Sequence, residues 1–114
     1  MTIHDKAHEL ARALKESPEV QEITEAVKLI DGDAESKRML EDFRTRQNDI
    51  QQRLMSGDMP NPEEMEQMEK LFEVLSMNPS IHTLFEAERR LSLIIQDVNK
   101  IISDSLEHLY GANV

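Results

Sequence analysis

Apolar residues recur at intervals of three and four along most of this chain, and the runs are separated by Pro, Gly, Asn and Asp. That spacing predicts helices throughout, because such positions share one face at 3.6 residues per turn. The longest run opens at Asn78, with Pro79 suited to a first helical turn and Gly111 placed as the residue just past the end. Within it Ile81, Leu84, Glu88, Leu91, Ile95, Val98, Ile102, Ser105 and Leu109 keep the spacing, and Phe85, Ile94, Ile101 and Leu106 widen the stripe. A helix of about 31 residues is roughly 46 Å long, whereas a compact sphere of this chain length is only about 34 Å across. The last helix is therefore expected to overhang its own domain or to lie in an elongated bundle. Either way apolar surface is left for another subunit, and Leu84, Leu91, Ile95, Val98, Ile102 and Leu109 are the candidate interface residues.

Thr2 is placed to cap a first helix running to Glu16, with Ile3, Ala7, Leu10, Ala11 and Leu14 on one face. Ser17 caps a second with Pro18 in its first turn, and Val20, Ile23, Ala26, Val27 and Ile30 form its stripe. Ser17-Pro18 and the residues after it match Asn78-Pro79 and its followers in spacing, a pattern that any capped amphipathic helix produces. Asp31-Gly32-Asp33 is a turn, with Asp33 as the cap of a third helix reaching Met55 and ending at Ser56-Gly57. Its narrow seam of Met39, Leu40, Phe43, Gln47, Ile50 and Leu54 predicts one main partner, the last helix, with Gln47 at the wetter edge. Asn61-Pro62-Glu63-Glu64 opens a fourth helix with a Met-rich stripe of Met65, Met68, Phe72 and Leu75. On the last helix, Glu86 and Arg90 are spaced for a local ion pair. The expected fold is all-α, an elongated helical bundle of about five helices with long helices near 34–55 and 79–110, in a single all-helical domain spanning 1–114.

Composition narrows the chemistry. With 114 residues there is enough chain for one hydrophobic core, but only three Phe, one Tyr and no Trp contribute to it, so aliphatic residues and seven Met must do most of the packing. The absence of cysteine removes disulfides, thiolate metal sites and cysteine nucleophiles. Twenty-three acidic against thirteen basic residues give a net charge of −10, which repels nucleic-acid backbones and anionic membrane surfaces. Neither a secretory leader nor a membrane-spanning run is present in the sequence, so a cytoplasmic location is expected. The three glycines are scattered and build no phosphate-cradling loop. His4 and His8, four residues apart, faintly resemble the paired ligands of the zinc-protease pattern His-Glu-x-x-His, but they lie off the apolar stripe, Asp5 stands in place of the Glu and no third ligand is evident. His82, Glu107 and His108 are isolated. No catalytic, cofactor or metal residues are assigned; His4 and His8 mark the one alternative in which the protein is a metal-dependent enzyme.

Glu35-Ser36-Lys37-Arg38-Met39, Phe43-Arg44, Gln51-Gln52 and Gly57 are followed by Glu86-Ala87-Glu88-Arg89-Arg90-Leu91-Ser92, Asn99-Lys100-Ile101-Ile102 and Leu109-Tyr110-Gly111. This set resembles the YheA-like proteins of Gram-positive bacteria, which are kin of the YlbF and YmcA family, and it covers nearly the whole chain. The resemblance implies a small helical protein that oligomerises and has no known enzymatic activity. It also implies kinship with regulators that form protein complexes affecting competence, sporulation, biofilm formation and RNA processing. Complexes of those relatives are associated with iron–sulfur clusters, for which this cysteine-free chain has no thiolate ligand. The expected function is a non-enzymatic protein–protein interaction module, a regulatory or scaffold protein acting as a homo-dimer or higher homo-oligomer with a further protein partner unidentified. An accessory role in an RNA-processing complex is the other alternative, without direct nucleic-acid binding.

Overall fold

Side chains start most of the helices. In the computed structural model, which describes residues 2–110, five helices follow one another: α1 (Ile3–Lys15), α2 (Pro18–Asp31), α3 (Ala34–Met55), α4 (Pro62–Ser76) and α5 (Pro79–Tyr110). Gly111, expected as the terminating residue of α5, lies outside the described residues. Thr2 Oγ1 accepts from the Asp5 amide while the Asp5 carboxylate accepts from the Thr2 amide, each at 3.1 Å, so α1 opens with a reciprocal capping box. Ser17 accepts from the Val20 amide and Asn61 from the Glu64 amide, and Pro18 and Pro62 follow where a missing N–H removes no helical bond.

Asp33 departs from this pattern. It occupies the cap position of α3, yet its carboxylate makes no bond to the helix backbone and instead accepts the Ser36 hydroxyl at 2.6 Å. Ser36 is buried, and its oxygen accepts the side-chain amide of Asn78 at 2.7 Å. The carbonyl oxygen of Asn78 meanwhile accepts the amides of Ser80 and Ile81 at 3.0 and 3.2 Å. One asparagine thus starts α5 and ties it to the start of α3. Asn78→Ala is expected to cost about 1–2 kcal/mol, because it removes a helix cap and leaves the buried Ser36 hydroxyl one partner short. Urea denaturation of the two proteins measures the difference.

At the far end of α3 the chain reverses at Gly57, whose φ of 82° belongs to the left-handed region that glycine adopts without a side-chain clash. The Gly57 amide donates to the Leu54 carbonyl and the Asp58 amide to the Arg53 carbonyl, at 3.1 and 2.8 Å, a pair of bonds that closes the last turn as a Schellman motif. The expected stop at Ser56-Gly57 therefore has a backbone explanation.

The core is built from Ala26 and Ile30 of α2, Phe43 of α3, Leu75 of α4, and Ile81 and Leu84 of α5, with Ile23, Met39, Leu40, Met68, Leu71 and Phe85 packed at its edge. α2 and α5 lie antiparallel and are the most extensively packed pair, as the Glu22–Arg90 ion pair at one end and the proximity of Leu29 to Pro79 and Ser80 at the other show. Each contributes a buried alanine, Ala26 and Ala87. Small side chains on facing helices allow their axes to approach closely. α3 packs on α4 and α2 rather than mainly on α5, contrary to the expectation that the last helix is its principal partner. α4 fills the space beside α3, and α5 is reached by long side chains from Phe43 and Arg44. Gln47 is exposed, at the wet edge of that seam.

The molecule is extended. Its radius of gyration is 18.4 Å, against about 13 Å for a compact chain of this length. The longest dimension, 48 Å, equals the length of α5 itself at about 1.5 Å per residue. The fold is the all-helical, elongated bundle that the periodicity predicts.

Candidate interaction surface

The stripe on α5 divides into two parts with different surroundings. Ile81, Leu84 and Ala87 are buried by the other helices, and Leu91, Ile94 and Val98 are half-buried. Every residue from Asn99 to Leu109 is exposed. Leu84, expected at an interface between subunits, is only 2% exposed and belongs to the chain's own core, where α2, α3 and α4 already surround α5. It leaves the candidate set. Leu91 and Val98 are partly covered, whereas Ile95, Ile102 and Leu109 face solvent, Ile102 at 51% and Leu109 at 65%. Ile101 and Leu106 beside them are exposed as well, so the overhang carries a contiguous apolar surface of the kind that marks interaction sites.

The first helix is the second unpartnered element. None of its residues is buried, Leu14 alone is half-buried, and Ile3 and Leu10 project from it into solvent. His4 and His8 are also exposed on this helix. Among the described residues no three His, Asp or Glu side chains converge as metal ligands, so the two histidines stand as a surface pair without the third donor that a metal site requires.

Charged side chains brace the region where α5 leaves the core. Arg44 of α3 donates to both carboxylate oxygens of Glu88 at 2.8 and 2.9 Å, and its guanidinium carbon lies 5.6 Å from the centre of the Phe85 ring. A planar guanidinium suits both contacts at once. Glu88 sits on the apolar stripe because Arg44 reaches over to neutralise it, a pairing across α3 and α5 that spacing along one helix could not reveal. Arg90 behaves similarly. Its guanidinium pairs with Glu22 of α2, while the Glu86 carboxylate is taken by Arg89 at 3.2 Å; the expected local pair of Glu86 with Arg90 is replaced by a link between helices.

Arg53 holds the loop between α3 and α4. It donates Nε to Asp58 at 3.0 Å and Nη2 to one Glu64 oxygen at 3.2 Å, while Nη1 reaches the other. The hydrogen bond from Arg53 holds the Glu64 carboxyl below its ordinary value, and desolvation opposes this without reversing it. Glu64 is thus drawn towards α3 and does not fold back on Asn61, although its position three residues after the cap suits that role. Because the folded-state value is depressed, the contribution of this pair is complete above the ordinary glutamate range and is lost as pH falls through the lowered value. Arg53→Met is expected to raise the Glu64 titration towards the ordinary glutamate range, followed by carboxyl carbon-13 NMR; an unchanged midpoint would mean that the clasp is not formed in solution.

No described helix is long and apolar enough to cross a membrane. Among the described residues no buried side-chain nitrogen or oxygen lacks a hydrogen-bond partner, so the core holds no orphaned polar group awaiting a ligand. The two unpartnered helical faces are the features that remain after the core is accounted for.

The family described as "Control of competence regulator ComK, YlbF/YmcA" matches residues 3–107. A UPF0342 protein of Shouchella clausii is 45% identical over 108 residues, covering 95% of this chain and 92% of its own length. Another, from Alkalihalophilus pseudofirmus, is 42% identical over 109 residues, with 96% and 92% covered. Among solved structures, a protein of unknown function (DUF964) from Bacillus stearothermophilus superposes with a TM-score of 0.86 at 26% identity, covering 98% of both chains. The yheA protein of Bacillus subtilis does so with a TM-score of 0.71 at 30% identity, covering 96% of this chain and all of that one. A helical core shared with these proteins over almost its full length, together with the match over residues 3–107, places this chain in the YlbF/YmcA family, as a YheA-like member.

Proposed function

We propose that this protein is a non-enzymatic interaction module, a regulatory or scaffold protein that acts as a homo-oligomer through the exposed part of α5. The observation that carries the reading is the continuation of the α5 apolar stripe, through Ile95, Ile102 and Leu109, beyond the point where its own core ends. Exposed apolar surface of this extent favours association, since covering it removes about 25 cal/mol per Å² of unfavourable contact with water. The family's description, control of a competence regulator, agrees with a role exercised through protein contacts. A cytoplasmic location suits that role.

Light scattering after size exclusion, on the full chain at micromolar concentration, tests the reading. The expected mass is a small multiple of 13.2 kDa. A single species at the mass of one chain across the concentration range would overturn it.

A further inference from the structure

The molecule has two apolar arms that do not cover each other, α1 and the end of α5, and they match in length. α1 spans 13 residues, about 20 Å, and the exposed segment 99–109 about 17 Å. Each arm carries about three to four turns of stripe, with Ile3, Leu10 and Leu14 on one and Ile102, Leu106 and Leu109 on the other. Resting on the homo-oligomer reading above, we propose that the occupant of the α5 overhang is α1 of a second copy of this chain, and reciprocally, so that a two-fold dimer buries both arms in one four-helix contact.

Charge favours this pairing over α5 against α5. Between Gln96 and Leu109 the overhang carries Lys100 against Asp97, Asp104 and Glu107, so two overhangs laid together would oppose like charge. α1 carries the opposite balance, with Lys6, Arg12 and Lys15 against Asp5 and Glu9. At 100° per residue Lys6, Lys15 and His4 border its apolar stripe, whereas Asp5 and Glu9 lie on the opposite side together with Arg12. Lys6 and Lys15 beside the α1 stripe therefore suit an overhang whose net charge is negative and whose Lys100 is already held by Asp104 at 2.7 Å.

The available area also suits a second copy. The chain exposes 8947 Å², about 2,500 Å² more than the roughly 6,400 Å² expected for a compact monomer of this mass. Obligate homodimers bury roughly 1,000–2,500 Å² on each partner. Reciprocal exchange of two arms uses both exposed stripes at once, and it closes on itself because each copy gives one arm and receives one.

The absence of native cysteine allows a clean test. Ala7 and Ser105 stand near the middle of their arms, are exposed and tolerate cysteine with little change in volume. An affinity-tagged Ala7→Cys chain and an untagged Ser105→Cys chain are co-expressed and treated with a short bis-maleimide. The mixed cross-link is expected as the dominant product, and each variant alone should yield little covalent dimer. Self-linking of Ser105→Cys without the mixed product, or a light-scattering dimer with no mixed product, would overturn the arm exchange while leaving the homo-oligomer reading intact. Monomeric mass for both variants and for the unmodified chain would overturn both.

Discussion

Ile102→Asp is expected to convert the proposed homo-oligomer into folded monomers. Ile102 is half exposed on the isolated chain and contributes nothing to the core, so the substitution should leave helical content and the unfolding of the core unchanged. In a two-fold contact the aspartate is buried twice. Taking a charge out of water without a partner costs several kcal/mol, and even about 3 kcal/mol at each of two symmetric positions raises the dissociation constant roughly ten-thousand-fold. Light scattering at micromolar concentration measures the mass, and circular dichroism on the same sample checks the fold. An assembly that survives Ile102→Asp, and also Ile95→Asp, would remove this face of α5 from the interface.

Phe43→Ala is the second large effect, and it acts on the other half of the molecule. The chain's three Phe residues form one cluster: Phe43 lies 6.1 Å from Phe72 and 5.8 Å from Phe85 between ring centres, and Phe72 and Phe85 stack at 5.3 Å with planes 11° apart. Phe43 is the most enclosed member, 5% exposed, and it joins α3 to both α4 and α5. Truncation leaves a cavity where those helices meet, for an expected loss of about 3–5 kcal/mol, a large part of the roughly 5–15 kcal/mol that holds a typical protein folded. Measuring urea unfolding in the Ile102→Asp background separates this loss from association, which would otherwise add its own concentration-dependent stability. A change below about 1 kcal/mol would show that the site collapses around the missing ring or is not packed as described.

Helix starts were legible because their causes lie within a few residues. Asn78, Asn61, Ser17 and Thr2 cap through bonds to amides two or three positions away, and Gly57 ends α3 through its own backbone conformation. The arrangement of helices was less legible. Leu84 and Ile102 occupy equivalent places in one repeating stripe, yet one is enclosed and the other faces water; periodicity identifies a face but not where its neighbours end. Ser36, Arg44 and Arg90 were obscure for a related reason. Their partners Asn78, Glu88 and Glu22 are more than forty residues away in sequence, and in isolation these side chains look like an ordinary polar surface. The candidate surface was visible as a stripe that was too long, while the burial of its first part required the positions of α2, α3 and α4.

The separation of α5 into an enclosed half and an overhang bears on how such a protein can change over time. Substitutions at Ile81 or Leu84 are filtered first by whether the chain folds at all, because those side chains form the core. Substitutions between Asn99 and Leu109 touch no part of that core, and marginal stability therefore constrains them little. Under the interface proposed above, what the overhang recognises can drift independently of what keeps the protein folded, so lineages that share this core are free to differ in the company it keeps.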